Sequence, residues 1–170
     1  NLVPELDVAG NIFLGREPRI AGLLLDRRTM LRAARELLAK LGLDLDPERK
    51  VGRLRVGEQQ VVEIAKALSL DARILIMDEP TSALSTAEAE RLEGIVRQLA
   101  RDGVAIVYIT HRLDEVFALA RQVTVLRDGR KVLTAPAAEL SRSAIIKAMV
   151  GRELSELGTG GGAGQGRPAL

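Results

Sequence analysis

Hydrophobic positions change their spacing several times along this chain. Met30, Ala33, Ala34, Leu37, Leu38 and Leu41 recur at helical intervals, with Asp26 placed to cap the helix and Gly42 to stop it near Leu41. After a loop through Asp46-Pro47, a second helix is expected from near Gly57 to Ser69. At residues 73–77 the spacing collapses into a short apolar run, the pattern of a buried strand. Ser85-Thr86-Ala87-Glu88 then reads as a capping box. The helix it opens has Leu92, Ile95, Val96 and Leu99 as its buried face and ends at Asp102-Gly103. Residues 104–110 form a second β-rich run without charge.

A strand, a helix and a second strand in this order predict a right-handed βαβ unit and an α/β fold with a parallel core. His111 stands just past the second strand, and Leu113, Val116, Phe117 and Ala120 mark another helix. Residues 122–126 and 131–134 flank Asp128-Gly129, a hairpin signal. Residues 141–150 predict a short helix. At the front, Pro4, Gly10, Gly15, Pro18 and Gly22 break up any long element before Asp26. At the back, the glycine-rich stretch 158–166 has the composition of a flexible linker. No internal repeat is visible.

Composition narrows the function classes. The chain has 170 residues, about one domain, with 46% hydrophobic and only 2% aromatic residues. Its core is therefore aliphatic. A net charge of +2, with arginines interspersed among acids, gives no electrostatic case for nucleic acid. Tyr108, Phe13 and Phe117 are too scattered to serve as base-stacking platforms. The absence of cysteine removes disulfide and thiol chemistry, and the single histidine excludes a His-based metal cluster. No stretch has the ~20 apolar residues of a membrane span. The opening Asn-Leu-Val-Pro has no signal-peptide pattern and reads as part of something longer.

The chemistry gathers at strand ends. In a parallel sheet, ligands collect beyond the carboxyl ends of the strands. Asp78-Glu79 lies at the end of the first predicted strand and His111 at the end of the second. Magnesium prefers carboxylate and water oxygens and takes few protein ligands, which suits Asp78. Glu79 is placed to orient or deprotonate an attacking water, and His111 to contact a terminal phosphate. Taken singly, an Asp-Glu pair also closes many strands as plain loop chemistry, and a lone histidine past a strand is often a surface residue. The surrounding strings supply the specificity.

These strings are Leu75-Ile76-Met77-Asp78-Glu79-Pro80-Thr81-Ser82-Ala83-Leu84, Leu54-Arg55-Val56-Gly57-Glu58-Gln59-Gln60 upstream and Tyr108-Ile109-Thr110-His111 downstream. In this order and spacing, they resemble the ATP-binding-cassette (ABC) ATPases over roughly residues 1–151. The resemblance implies a Walker B strand with Asp78 supporting magnesium and Glu79 as the catalytic glutamate. It also implies a D-loop at Ser82-Ala83-Leu84-Ser85 that works across a dimer interface, and a switch histidine at His111. Arg55, Val56, Gly57 and Glu58 fall in the signature loop, which caps ATP held by a partner cassette. A glycine-containing turn opening a helix suits that role, because its N–H groups and dipole favour phosphate.

The segments 1–6, 11–17 and 149–153 are similar to ATPase subunits of bacterial ribose-, galactose- and xylose-type sugar importers. For this chain, that implies the C-terminal part of a first cassette. A helical subdomain with the signature helix would occupy about residues 5–70. A Walker B core part with a C-terminal hairpin and helix would occupy 71–151, followed by a linker over 152–170. The implied cofactors are ATP and magnesium. The implied partners are transmembrane permease subunits, a second cassette in the same or another chain and, indirectly, a periplasmic solute-binding protein. The implied location is cytoplasmic, peripheral on the inner face of the cell membrane.

The sequence departs from the family in places. No Gly-x-x-x-x-Gly-Lys-Ser/Thr phosphate-binding loop occurs. The run Gly161-Gly162-Ala163-Gly164-Gln165-Gly166-Arg167-Pro168 imitates one, yet it has Arg-Pro where Lys-Ser/Thr is needed. Arg55 replaces the usual serine of the signature loop, exchanging a small hydroxyl for a bulky charge. Glu58 stands for the commoner glutamine and Ser85 for an acid or threonine. The expected chain is thus an energy-coupling ATPase segment, inactive alone. The competing readings are a soluble ABC protein acting on ribosomes or DNA, and a non-catalytic remnant.

Overall fold

The computed structural model describes residues 2–151. The stretches read as linker and as phosphate-loop imitation lie outside the described residues. The elements in chain order are α1 (Val8–Ile12), β1 (Arg19–Ile20), β2 (Leu24–Leu25), α2 (Arg27–Lys40), α3 (Val56–Leu68), β3 (Ile74–Asp78), α4 (Thr86–Arg101), β4 (Ala105–Ile109), α5 (Leu113–Leu119), β5 (Gln122–Arg127), β6 (Arg130–Pro136) and α6 (Arg142–Val150). They fall into two compact units, one within Asn1–His111 and one within Arg112–Leu170.

In the first unit, α1 packs against both α2 and α3, and α3 in turn meets α4. Val8, Ala9, Ile12, Ala34, Leu38, Val62 and Ala65 are all fully or almost fully buried there. The cap expected at Asp26 is present: its carboxylate accepts the Thr29 N–H at 3.0 Å. Gly42 follows the helix with φ of +66°, a left-handed turn that glycine adopts without a Cβ clash. The front of the chain is more ordered than its glycines and prolines suggest. Asn11, wholly buried, accepts the Val3 N–H at 2.6 Å and donates to the carbonyls of Val3 and Asp7, each at 3.0 Å. One amide thus folds the segment before α1 back onto it. The short antiparallel pair β1–β2 turns through Ala21 and Gly22, both at positive φ, which the sequence pattern did not reveal.

Strands β3 and β4 pair in parallel, Ile74 with Ala105 through Asp78 with Ile109, so β3–α4–β4 is the expected βαβ unit. The capping box is present too: Ser85 Oγ accepts the Glu88 N–H at 3.4 Å and Glu88 Oε2 accepts the Ser85 N–H at 3.0 Å. The strand begins and ends one residue later than expected, so Asp78 is its last residue. Burial differs from the reading of residues 73–77 as a buried strand. Leu75 and Met77 are buried, but Ile74 and Ile76 on the opposite face are 64% and 67% exposed. Val107 and Ile109 of β4 continue that open face. A continuous apolar run signals a sheet covered on both faces, and among the described residues only one face is covered.

In the second unit, β5 and β6 form the predicted hairpin around Asp128 and Gly129, with φ of 52° and 72°. Two positive-φ residues match the right-handed twist of a hairpin. Val123, Val125, Ala137 and Ile145 form its core, with Leu113, Val116, Leu133 and Met149 packed around them.

Candidate functional site

The parallel register sets the first group of site residues. Asp78 closes β3 opposite Ile109, and Glu79 follows with φ of +43°, a left-handed conformation uncommon for a residue with a Cβ. Three backbone bonds hold that turn. The Glu79 N–H donates to the Ile109 carbonyl at 2.9 Å, the Ser82 N–H to Glu79 at 3.1 Å and the Leu84 N–H to Thr81 at 3.1 Å. Anchoring Glu79 to Ile109 places its side chain beside His111, two residues further along. Glu79 Oε1 and His111 Nδ1 lie 3.0 Å apart.

The pair is open to water, with side chains 49% and 66% exposed. A carboxylate with one oxygen on an imidazole keeps its second oxygen for a water molecule. A neutral imidazole that donates Nδ1–H to Glu79 presents an acceptor at Nε2; only the protonated ring donates from both nitrogens. Asp78 is exposed on the same side as the open isoleucine face. Among the described residues, no group of three or more His, Asp or Glu side chains gathers as a metal centre. A hard cation at Asp78 would therefore complete its shell with water and non-protein oxygens, as magnesium does with phosphates.

The second group is the loop that opens α3. Arg55 is the N-cap residue, and its own N–H donates to Glu58 Oε2 at 2.8 Å. A guanidinium has no acceptor, so the reciprocal bond of a capping box, from the amide of Glu58 to a side-chain oxygen, has no oxygen to receive it. Arg49 engages the acceptors of this loop instead: Nη1 lies 3.8 Å from Glu58 Oε1, and Nη2 donates to the Arg53 carbonyl at 2.9 Å. Gln59 fixes the approach to the helix, donating to the Leu54 carbonyl at 3.1 Å. Arg55 and Val56 are exposed, Gly57 and Glu58 half-buried.

The structure thus brings Glu79 to His111 and gives Arg55, Val56, Gly57 and Glu58 a helix N-terminus. Ser82 is exposed in the turn between β3 and α4. A residue that sequence reasoning treated only as a helix cap, Glu88, also reaches the second group. Its carboxyl group is held below the ordinary carboxylate range, first by the Ser85 hydroxyl and N–H, then by the Arg55 charge and the Gly57 N–H.

Comparison with known proteins gives a consistent picture. A family model described as "ABC transporter" matches residues 1–82. A ribose import ATP-binding protein of Rubrobacter xylanophilus is 51% identical over 92% of this chain and 31% of its own length. An arabinose import ATP-binding protein of Rhizobium meliloti is 50% identical over 92% of this chain and 31% of its own length. The chain therefore spans about a third of the length of these curated relatives. Among solved structures, a dimeric ATP-binding cassette in a post-hydrolysis state with ADP and Pi aligns with a TM-score of 0.66 and 25% identity, over 81% of this chain and 59% of that one. A nucleotide-free cassette from an ABC transporter aligns with a TM-score of 0.70 and 23% identity, over 88% of this chain and 60% of that one.

Proposed function

The chain belongs to the ABC transporter family of ATP-binding proteins, and on that premise we propose that it is the water-activating and signature-bearing part of an ATPase that drives import of a sugar. The observation that carries this reading is the Glu79–His111 pair at the ends of two adjacent parallel strands, with Asp78 beside it.

In this reading, Asp78 supports magnesium, which neutralises charge on the transferred phosphoryl group when bound. Glu79 orients and polarises the attacking water through the oxygen that His111 does not hold. His111 senses the terminal phosphate through Nε2, which requires either the protonated ring or release from Glu79. The Arg55-Val56-Gly57-Glu58 loop offers N–H groups at the start of α3 to the nucleotide of a second cassette. Ser82 lies in the turn that meets that cassette. The phosphate-binding loop is not among these 170 residues, so ATP is held jointly with sequence outside them. The open face of Ile74, Ile76, Val107 and Ile109 is where the remaining layer of the cassette packs.

The partners in this reading are membrane-spanning permease subunits, with a solute-binding protein acting through them, and the location is the inner face of the cell membrane. Among the described residues, no helix is long and apolar enough to cross a membrane. Sugar import is preferred over a ribosomal or DNA role because both relatives above are named as sugar import proteins. Affinity purification of the longer protein tests this choice: recovery of a permease supports it, and recovery of ribosomal RNA or DNA without a permease rejects it.

A further inference from the structure

One carboxylate joins the two groups of the site. Glu88 sits in the first turn of α4, just after the Ser82-Ala83-Leu84-Ser85 turn. Its Oε2 accepts the Ser85 hydroxyl at 2.7 Å and the Ser85 N–H at 3.0 Å. These two bonds account for a helix cap. Its other oxygen faces a loop about thirty residues earlier in the chain. A Cβ built on Gly57 would stand 2.9 Å from Glu88 Oε1, 3.0 Å from Cδ and 3.1 Å from Cγ. The carboxylate therefore rests on the bare Cα of Gly57, in a space that any other residue would fill. Arg55, two residues before Gly57, is near enough for its positive charge to favour the ionised Glu88 carboxyl, after the Ser85 bonds that dominate.

We propose that Glu88 is a positioning residue that ties the Arg55-Val56-Gly57-Glu58 loop to the Ser82-Ala83-Leu84-Ser85 turn and serves as the counter-charge to Arg55. Two consequences set this apart from capping. Glycine at position 57 leaves room for the approach of Glu88: a Cβ there would displace the end of that side chain, and the φ of Gly57, outside the positive range, makes no separate demand for glycine. The serine-to-arginine departure at position 55 is accommodated, because a resident anion offsets the guanidinium at a helix terminus whose dipole disfavours positive charge. If the proposed function holds, the tether also means that the loop facing one nucleotide and the turn facing the second cassette move together.

Amide NMR spectra of the 170-residue chain without nucleotide test the tether, using Glu88→Gln in the native and Arg55→Ser backgrounds and Gly57→Ala alone. Glutamine keeps an oxygen for Ser85 and removes the charge. The tether predicts that Glu88→Gln shifts the Gly57 and Glu58 amides, and the counter-charge role predicts that this shift is smaller in the Arg55→Ser background. It also predicts that Gly57→Ala shifts the Ser85 and Glu88 amides as the carboxylate is pushed aside. Changes confined to residues around α4, or equal shifts in both backgrounds, would overturn it. Because no nucleotide is present, loss of the tether is distinguishable from failure of the ATP reading, which shows only in hydrolysis by the longer protein.

Discussion

His111 Nδ1 lies 3.0 Å from Glu79 Oε1, although the two residues are 32 positions apart in the chain. The contact follows from backbone pairing. Parallel register sets Asp78 opposite Ile109, and the Glu79 N–H bond to Ile109 fixes where the next side chain starts. A positive φ at Glu79 is tolerated because three backbone bonds, from the amides of Glu79, Ser82 and Leu84, define the turn. Backbone pairing of two strands thus brings the two side chains together.

The isolated chain holds neither phosphate loop nor partner cassette, so ATP should find only scattered contacts. Isothermal titration of the chain with magnesium and ATP is expected to show no binding in the micromolar range. A micromolar Kd would contradict the division of the site proposed here.

Arg55 is an N-cap without an acceptor. Arg55→Ser supplies an oxygen for the amides at the start of α3 and is expected to stabilise the chain by about 0.5–2 kcal/mol, the usual worth of such a cap. Urea denaturation measures this as a higher midpoint with an unchanged slope. In the longer ATPase, the same change is expected to raise turnover by relieving crowding at the nucleotide. A lower urea midpoint, or unchanged or lower turnover, would show that Arg55 is tolerated or useful as it stands.

Asn11 is buried and bonded on both its oxygen and its nitrogen. Asn11→Ala leaves the Val3 N–H and several carbonyls without these partners, at a cost of about 1–3 kcal/mol. The loss should appear in urea denaturation, with enhanced hydrogen exchange at Val3. Wild-type stability in this variant would mean that water replaces the amide fully.

The caps give the chain an acid-sensitive edge. The Thr29 N–H, then its hydroxyl, holds the Asp26 carboxyl below its ordinary value, and Ser85 does the same for Glu88. A pKa lower in the folded state than in the unfolded one stabilises the fold above the unfolded value, and that contribution is lost as pH falls through the folded value. The thermal midpoint is therefore expected to drop below about pH 4, near the ordinary carboxylate range. Asp26→Asn should flatten part of that drop. An unchanged pH profile in that variant would remove Asp26 from the account.

Local signals were legible in the sequence. Asp26 and Ser85-Glu88 announced α2 and α4, Asp128-Gly129 announced the hairpin, and the run into Asp78 announced β3 to within one residue. What escaped depends on distant partners. The lock made by Asn11 depends on where the preceding segment returns. Apolar composition alone could not tell that Ile74 and Ile76 face outward, because a run covered on both faces and one covered on a single face read alike. The approach of Glu88 to Gly57 depends on how α3 packs on α4, and no local spacing encodes it.

The most direct test of the central claim is single-residue replacement of the water-activating group in the longer ATPase that carries this segment. Glu79→Gln preserves size and one acceptor oxygen but removes the base. ATP binding should persist, while the steady-state hydrolysis rate falls by about 100-fold or more, the range expected for loss of general-base catalysis. Unchanged hydrolysis in Glu79→Gln, with ATP still bound, would contradict the assignment of Glu79.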